Sequence, residues 1–406
     1  MAAAPKSIVI LGAGQAGAWA ARALRDHGYA QEIQMVSAEL HEPYERPPLS
    51  KALLAGKADP ASTRVFSPAV LASLGLQWHC GVPATALDRA SKRVTLADGS
   101  ALAYDKLLFC TGGRALRPPI AGMDLPGVFT LRTLDDSLRI AAALADAQRV
   151  CIIGGGWISL EVSSTAVALG KQVTLLQKSS SLCERVLPPA LADHLALLHR
   201  QAGVELRLDT GAEAIQKVAE RLRVVTTSGS AVEADVVVVG AGLVPNDELA
   251  TQAGLQCARG IVVDARCVTS DPDILAAGDV AVAPNVWADG LVRLESWQNA
   301  TDQAVVAAQV ALGADLQYSP LPWFWSDQHG VNLQIYGWPM ARHRAVTRQL
   351  GTAGSFLTFL LEGDKVASAV AWNAARELRM ARKLIESRKP VCDADLANPD
   401  LRLSAI

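Results

Sequence analysis

A chain of 406 residues exceeds one small domain, and with half of them hydrophobic and 19% charged it supplies core for two or three. A formal net charge of −2 lacks the basic excess of a general nucleic-acid binder, and no apolar run reaches membrane-spanning length. Met1-Ala2-Ala3-Ala4-Pro5-Lys6 leads straight towards a strand without a signal-peptide pattern, so the expectation is a cytoplasmic enzyme with no membrane partner.

In chain order, one design occurs twice. Residues 7–17 form an apolar strand that breaks into Gly12-Ala13-Gly14-Gln15-Ala16-Gly17. A helical stretch from Ala18 to His27 follows, then a second strand from Glu32 to Val36. Residues 149–156 repeat the plan, with a helical stretch to Leu169 and the strand Gln172 to Leu176. Each is a βαβ unit that begins its own parallel sheet. Further apolar strands end at Thr111-Gly112, Gly240-Ala241-Gly242 and Gly278-Asp279, placing the chain in the α/β class. After residue 320 the pattern changes to alternating strands, such as Asn332 to Tyr336 and Ser355 to Leu361, closed by a helix over residues 374–386. That tail reads as a separate α+β domain.

The spacing Gly12-x-Gly14-x-x-Gly17 has a mechanism. The first glycine permits a tight turn, the second lets backbone approach a pyrophosphate, and the third lets helix pack on strand. Glu39, 22 residues beyond Gly17, lies near the end of the second strand, where an acid accepts hydrogen bonds from a ribose. The second fingerprint is Gly154-Gly155-Gly156-Trp157-Ile158-Ser159, with serine in the third glycine position. Two fingerprints point to two dinucleotides, one flavin adenine dinucleotide (FAD) and one nicotinamide coenzyme. Asp279, after its strand, suits a ribityl hydroxyl and serves equally well as a helix N-cap. The seven cysteines form no Cys-x-x-Cys pair and no zinc-like cluster, and are expected to be inert buried thiols.

Together with Pro43-Tyr44-Glu45-Arg46-Pro47-Pro48-Leu49-Ser50-Lys51, Glu161, Pro245-Asn246, Glu295-Ser296-Trp297-Gln298-Asn299 and Leu321 to Gln328, these motifs resemble a known family. It is the oxygenase-coupled NADH-dependent ferredoxin reductases, of the putidaredoxin-reductase and biphenyl-dioxygenase type, related to apoptosis-inducing factor. The resemblance runs from residue 7 to about residue 390. It implies a glutathione-reductase-type fold with two dinucleotide-binding domains plus the C-terminal α+β domain. FAD would take residues 1–115 and 246–320, NAD(P)H residues 116–245, and the tail residues 321–406. Relatives that reduce disulfides or peroxides carry a cysteine on the helix after the first βαβ; here Leu49-Ser50-Lys51-Ala52-Leu53-Leu54 has none.

The resemblance also implies roles. Gly12, Gly14, Gly17, Glu39, Arg46, Lys51, Thr111, Gly112, Asp279, Trp297 and Trp325 would contact FAD, with Arg46 on the pyrophosphate and both tryptophans near the isoalloxazine. Gly154, Gly156, Ile158, Glu161, Gln177, Arg185 and Gly242 would contact NAD(P)H. Lys51 and Glu161 would pair where nicotinamide docks and serve catalysis. Two positions depart from the family: Ala38 replaces an acid commonly found beside Glu39, and Gln177, followed by Lys178, replaces a ribose-binding glutamate. The second departure weakens the family's preference for NADH, which remains the expected donor, with NADPH as an alternative. Flavin chemistry adapts a two-electron hydride donor to a one-electron iron–sulfur acceptor. No cluster-ligating cysteine set is present, so the cluster belongs to a separate [2Fe–2S] ferredoxin, the Rieske type included, serving a ring-hydroxylating dioxygenase or a cytochrome P450. The competing readings are an NADH oxidase or quinone reductase, and a signalling flavoprotein like apoptosis-inducing factor.

Overall fold

The structure is a computed structural model that describes residues 5–288, 290–340, 342–351 and 354–406. They fall into two compact units. The first takes the chain up to Glu45 with Ala61–Arg114 and Val244–Pro322; the second takes Arg46–Pro60, Ala115–Leu243 and Trp323–Ile406. Residues 46–60, which carry Arg46 and Lys51, thus pack with the second unit, as does the C-terminal segment.

The first unit is built on a five-stranded parallel sheet. Its order is Ile274–Ala276, Lys106–Phe109, Ser7–Leu11, Glu32–Ser37 and Gln77–Cys80. Parallel strands are covered on both faces, which is why they read as unbroken apolar runs: Ile8, Val9, Ile10, Leu107 and Leu108 are all sealed from solvent. Helix Gln15–Asp26 covers one face. Its alanine stripe, Ala16, Ala20 and Ala23, packs in one core cluster with Ala300, Ala304 and Ala307 of helix Trp297–Ala311. Small side chains let these helix backbones approach closely.

The second unit repeats the plan with Glu205–Arg207, Gln172–Leu176, Arg149–Ile153, Val236–Val239 and Val128–Thr130, again all parallel. In both sheets the strand that precedes the glycine fingerprint lies in the middle. The next strand in sequence pairs on one side and a later strand on the other, which leaves a crevice at its carboxyl end. The C-terminal segment adds an antiparallel sheet in the order Trp323–Gln328, Val331–Gly337, Lys365–Trp372, Phe356–Glu362 and Arg344–Gln349. Helix Ala375–Ser387 buries Leu378, Ala381, Leu384 and Ile385, one stripe of an amphipathic helix.

Two expectations need correction. The stretch after Arg46 is not an α-helix but a single 3-10 turn, Pro47–Ser50, followed by turns. Pro47 and Pro48 supply no N–H; Pro48 O accepts from the Lys51 N–H at 3.1 Å, and the next two carbonyls accept from side chains, Leu49 O from Ser137 at 2.7 Å and Ser50 O from Thr165 at 2.7 Å. Nor are all the cysteines buried. Cys110, Cys151, Cys183 and Cys267 are, whereas Cys80 and Cys257 are half-buried and Cys392 is exposed. Burial pushes the Cys110, Cys151 and Cys267 thiols up to about 12, which leaves them unreactive near neutral pH.

The turn glycines explain their own spacing. Gly12 and Gly154 adopt φ of +106° and +111°, and a Cβ would lie 2.2 Å from Cys110 O at the first and 2.3 Å from Gly240 O at the second. At Gly17 a Cβ would lie 1.9 Å from Gly12 O, so even alanine must drive helix and strand apart. Gly17→Ala is expected to lower unfolding stability by about 1–3 kcal/mol. Urea titration checks this, and an unchanged midpoint would contradict the packing argument.

Candidate active site and dinucleotide cradles

In the first unit the fingerprint residues converge at the carboxyl end of strand Ser7–Leu11. Helix Gln15–Asp26 starts at Gly14 with no side-chain cap, so its first backbone N–H groups are left for an anion. Gly278-Asp279 follows strand Ile274–Ala276 and abuts that helix: a Cβ on Gly278 would meet Ala16 Cβ at 3.0 Å. Asp279 is thereby carried to the helix N-terminus. Thr111 and Gly112, beyond strand Lys106–Phe109, are clamped by Asn246, whose side chain donates to Thr111 O at 2.9 Å and whose N–H donates to Gly112 O at 3.0 Å. Glu39 lies two residues past strand Glu32–Ser37 and accepts from the Tyr44 hydroxyl at 2.5 Å. Trp297 opens helix Trp297–Ala311, and its indole N–H donates to Glu45 at 3.3 Å. An uncapped helix end, an acid beyond the second strand and a carboxylate beside the helix fit an adenine dinucleotide.

The second unit forms the matching cradle. Helix Trp157–Ala168 starts at Gly156, again with no side-chain cap, and a Cβ there would meet nothing within 4 Å. Backbone and open space face each other, as a pyrophosphate requires. Ser159 fits the third glycine position because its neighbour is itself a glycine: its hydroxyl donates to Gly240 O at 3.3 Å, where a Cβ on Gly240 would come within 2.1 Å of that hydroxyl. Gln177, just beyond strand Gln172–Leu176, folds back over the glycine turn, and a Cβ on Gly155 would meet its Cδ at 2.9 Å. Its amide nitrogen donates to Ser179 Oγ at 2.6 Å and Ser181 O at 3.3 Å, which commits the donors and leaves the oxygen as the group to accept from a ribose. Lys178 and Arg185 are exposed; Ile158, one residue into the helix, is 46% exposed despite its apolar side chain.

Glu161 lies on the same helix, five residues past Gly156, and is 3% exposed. Lys51 Nζ stands 2.7 Å from its Oε2, and Ser50 Oγ donates to the same oxygen at 2.5 Å. Lys51 also reaches Pro47 O at 3.3 Å. On the other side Ser326 Oγ donates to Glu161 Oε1 at 2.6 Å. A buried carboxylate is tolerated only when paired and hydrogen-bonded, and all of these partners lie in the second unit. Behind Ser326 runs a chain: Gln328 Nε2 donates to Ser326 Oγ at 2.8 Å, His199 Nε2 meets Gln328 Oε1 at 2.8 Å, and His329 Nε2 meets His199 Nδ1 at 3.2 Å. Arg46 donates to Arg132 O at 2.5 Å, and Trp325 stacks on Trp323 with ring centroids 5.0 Å apart. Both of these candidate FAD contacts, with Lys51, belong to the second unit, while the other FAD candidates belong to the first.

Ser50, Ser326, Gln328 and His199 carried no role in the sequence reading. Three of them stand within motifs that carried the family resemblance, where Arg46, Lys51 and Trp325 received a function; His199 has no local signal at all. Among the described residues no group of His, Cys, Asp or Glu is arranged to hold a metal, and no helix is long and apolar enough to cross a membrane.

The model of the family described as pyridine nucleotide-disulphide oxidoreductase matches residues 6–304, and a second, described as reductase C-terminal, matches residues 323–406. The chain belongs to the pyridine nucleotide-disulphide oxidoreductase family. Its fold is that of the two-dinucleotide-domain oxidoreductases with an added C-terminal domain. This oxidoreductase is 39% identical over 398 residues to the anthranilate 1,2-dioxygenase system ferredoxin–NAD(+) reductase component of Burkholderia cepacia, covering 97% of this chain and 98% of that one. It is similar to the solved ferredoxin reductase for the CYP199A2 system from Rhodopseudomonas palustris, at TM-score 0.95 and 34% identity, over 98% of this chain and 99% of the other. It is also similar to the reductase in the covalent putidaredoxin reductase–putidaredoxin complex, at TM-score 0.94 and 36% identity, over 99% and 98% of the two chains.

The His199 ring is fully buried, and desolvation pushes its pKa down to about 4. An unfolded histidine titrates near 6.5, so below that pH unfolding takes up a proton that the folded oxidoreductase refuses. This contribution is fully present above pH 6.5 and is lost as the pH falls towards 4. Between pH 7 and pH 5 the oxidoreductase is therefore expected to lose about 2 kcal/mol more unfolding stability than a His199→Gln variant. Equal losses in urea titrations at the two pH values would show that His199 titrates as an exposed ring.

Proposed function

We infer that this chain is an FAD-dependent ferredoxin reductase that takes a hydride from NADH and passes single electrons to a [2Fe–2S] ferredoxin. The carrying observation is the coexistence of two helix-end cradles of one design with a buried Lys51–Glu161 pair where disulfide reductases keep a thiol. Bound FAD supplies the chemistry that neither partner has, accepting a hydride and giving up electrons one at a time. The ferredoxin would serve a ring-hydroxylating dioxygenase or a cytochrome P450 in the cytoplasm; relatives named for a dioxygenase system and for a P450 system support this reading.

The proposed domain roles follow the cradles. Residues 1–115 and 246–320 would bind FAD, residues 116–245 the nicotinamide coenzyme, and residues 321–406 form the C-terminal domain. Gly12, Gly14 and Gly17 offer backbone to the FAD pyrophosphate, Glu39 accepts from the ribose, and Asp279 accepts from the ribityl chain. Arg46, Thr111, Gly112, Trp297 and Trp325 complete the FAD contacts. Gly154, Gly156, Ile158, Arg185 and Gly242 take the nicotinamide coenzyme, with Gln177 at its ribose. Lys51 and Glu161 orient the donor for hydride transfer: their charges cancel, and Glu161 fixes the ammonium of Lys51 at 2.7 Å. Orientation of this kind lowers the barrier by holding reactants in place.

NADH-driven cytochrome c reduction by the purified protein is expected to rise at least tenfold on addition of a [2Fe–2S] ferredoxin, about 1.4 kcal/mol in transition-state terms. An equal rate without ferredoxin would favour a simple oxidase. Glu161→Ala is expected to slow flavin reduction by NADH at least tenfold in stopped flow, about 1.4 kcal/mol of barrier. Reduction at the wild-type rate would remove Glu161 from the reaction.

Coenzyme choice rests on Gln177. A glutamate there would repel the 2′-phosphate of NADPH, whereas the amide only accepts. NADH is expected to remain the better donor, with discrimination within roughly 100-fold, about 2.7 kcal/mol. Gln177→Glu is expected to widen the NADH preference roughly tenfold, with the Ser179 hydroxyl turning to donate to the new carboxylate. The measurement is kcat/KM for both coenzymes with a saturating acceptor. An unchanged ratio would mean that residue 177 does not face the ribose.

A further inference from the structure

The hydrogen bonds around Glu161 have a fixed direction. An ion-paired carboxylate only accepts, so the Ser326 hydroxyl at 2.6 Å must spend its proton on Glu161 Oε1. Ser326 Oγ is then an acceptor, which orients the Gln328 amide with its nitrogen towards the serine at 2.8 Å. The amide oxygen faces His199, so Nε2 of that ring carries the proton, and its Nδ1 accepts from His329. The first three members are buried, Ser326 and His199 at 0% and Gln328 at 4% exposed, while His329 at the far end is only half-buried. Every donor points towards one carboxylate oxygen. An amide in the middle does not pass protons along, so the chain orients Glu161 and does not conduct.

Its anchorage fits that purpose. Ser326 and Gln328 alternate on strand Trp323–Gln328 and so point to one face. That strand lies against helix Trp157–Ala168, where Phe324 and Trp157 also meet, with centroids 5.0 Å apart. His199 comes from helix Pro189–Gln201, a third element. The His329 N–H donates to Ser164 Oγ at 2.7 Å, tying the end of the strand to the helix that bears Glu161. Lys51 and Ser50 hold one carboxylate oxygen; without Ser326 the other would be free to swing.

We propose that Ser326 and Gln328, backed by His199, are positioning residues that fix the orientation of the Glu161 carboxylate for hydride transfer. The C-terminal domain thereby acts on the nicotinamide reaction. The inference rests on the catalytic assignment of Glu161 made above.

The test is stopped-flow flavin reduction by NADH in holoenzyme variants with verified FAD content, together with urea denaturation of each. Ser326→Ala is expected to slow the limiting rate about fivefold or more while the NADH dissociation constant stays within about twofold. Ser326→Thr, which keeps the hydroxyl, should retain the wild-type rate within about twofold. Gln328→Leu leaves Ser326 in place but removes its donor, and should slow the same step by a smaller factor; it carries the test if Ser326→Ala fails to fold. In a Glu161→Gln background, Ser326→Ala should cause no further slowing, and the two substitutions should couple in unfolding stability. Wild-type rates in Ser326→Ala and Gln328→Leu, with Glu161→Gln slow, would overturn the positioning role and leave the catalytic assignment standing. A wild-type rate in Glu161→Gln would overturn both.

Discussion

A carboxylate with 3% of its surface exposed organises the second unit. Glu161 must be paired to be buried, and the groups that satisfy it come from stretches far apart in sequence: Ser50 and Lys51 from the segment after Arg46, and Ser326 from the C-terminal sheet. Removing a partner would strand a buried charge, so the site chemistry and the packing of these stretches are one constraint. The 3-10 turn Pro47–Ser50 serves the same end. Its Leu49 and Ser50 carbonyls accept from Ser137 and Thr165, and the turn delivers Ser50 and Lys51 to the carboxylate.

The two cradles are variations on one solution. Each exposes an uncapped helix N-terminus at the carboxyl end of a central parallel strand, and at the first glycine of each turn a Cβ would meet a neighbouring carbonyl at a distance no side chain tolerates. They differ where packing permits. Ser159 replaces a glycine because Gly240 opposite has no side chain to collide with its hydroxyl. Gln177 keeps the place of an acceptor but spends its donors on the Ser179–Ser181 turn, so it presents an oxygen without a charge.

Sequence spacing revealed the features whose causes are local. A tight turn with positive φ selects glycine, and a sheet covered on both faces selects unbroken apolar runs, so the repeated βαβ design stood out. Pairings across more than 100 residues leave no such trace. Lys51 and Glu161 were joined only by resemblance to a family, and Ser326, Gln328 and His199 are ordinary residue types whose meaning comes from the neighbours that folding supplies. A helix after Arg46 is expected only from resemblance to the family; the structure has a 3-10 turn whose Leu49 and Ser50 carbonyls accept from Ser137 and Thr165, contacts that no local pattern announces. Cys392 was grouped with buried thiols on composition, yet it lies exposed in the C-terminal segment.

The central claim is that electrons enter in pairs and leave singly. An anaerobic titration tests it most directly: substoichiometric NADH is added to the FAD-loaded protein with excess oxidised [2Fe–2S] ferredoxin, and reduced ferredoxin is counted from its absorbance. The account predicts two ferredoxins reduced for each NADH consumed, with the flavin band recovered at the end. NADH consumed without reduction of ferredoxin, or a flavin band that stays bleached beside oxidised ferredoxin, would contradict it.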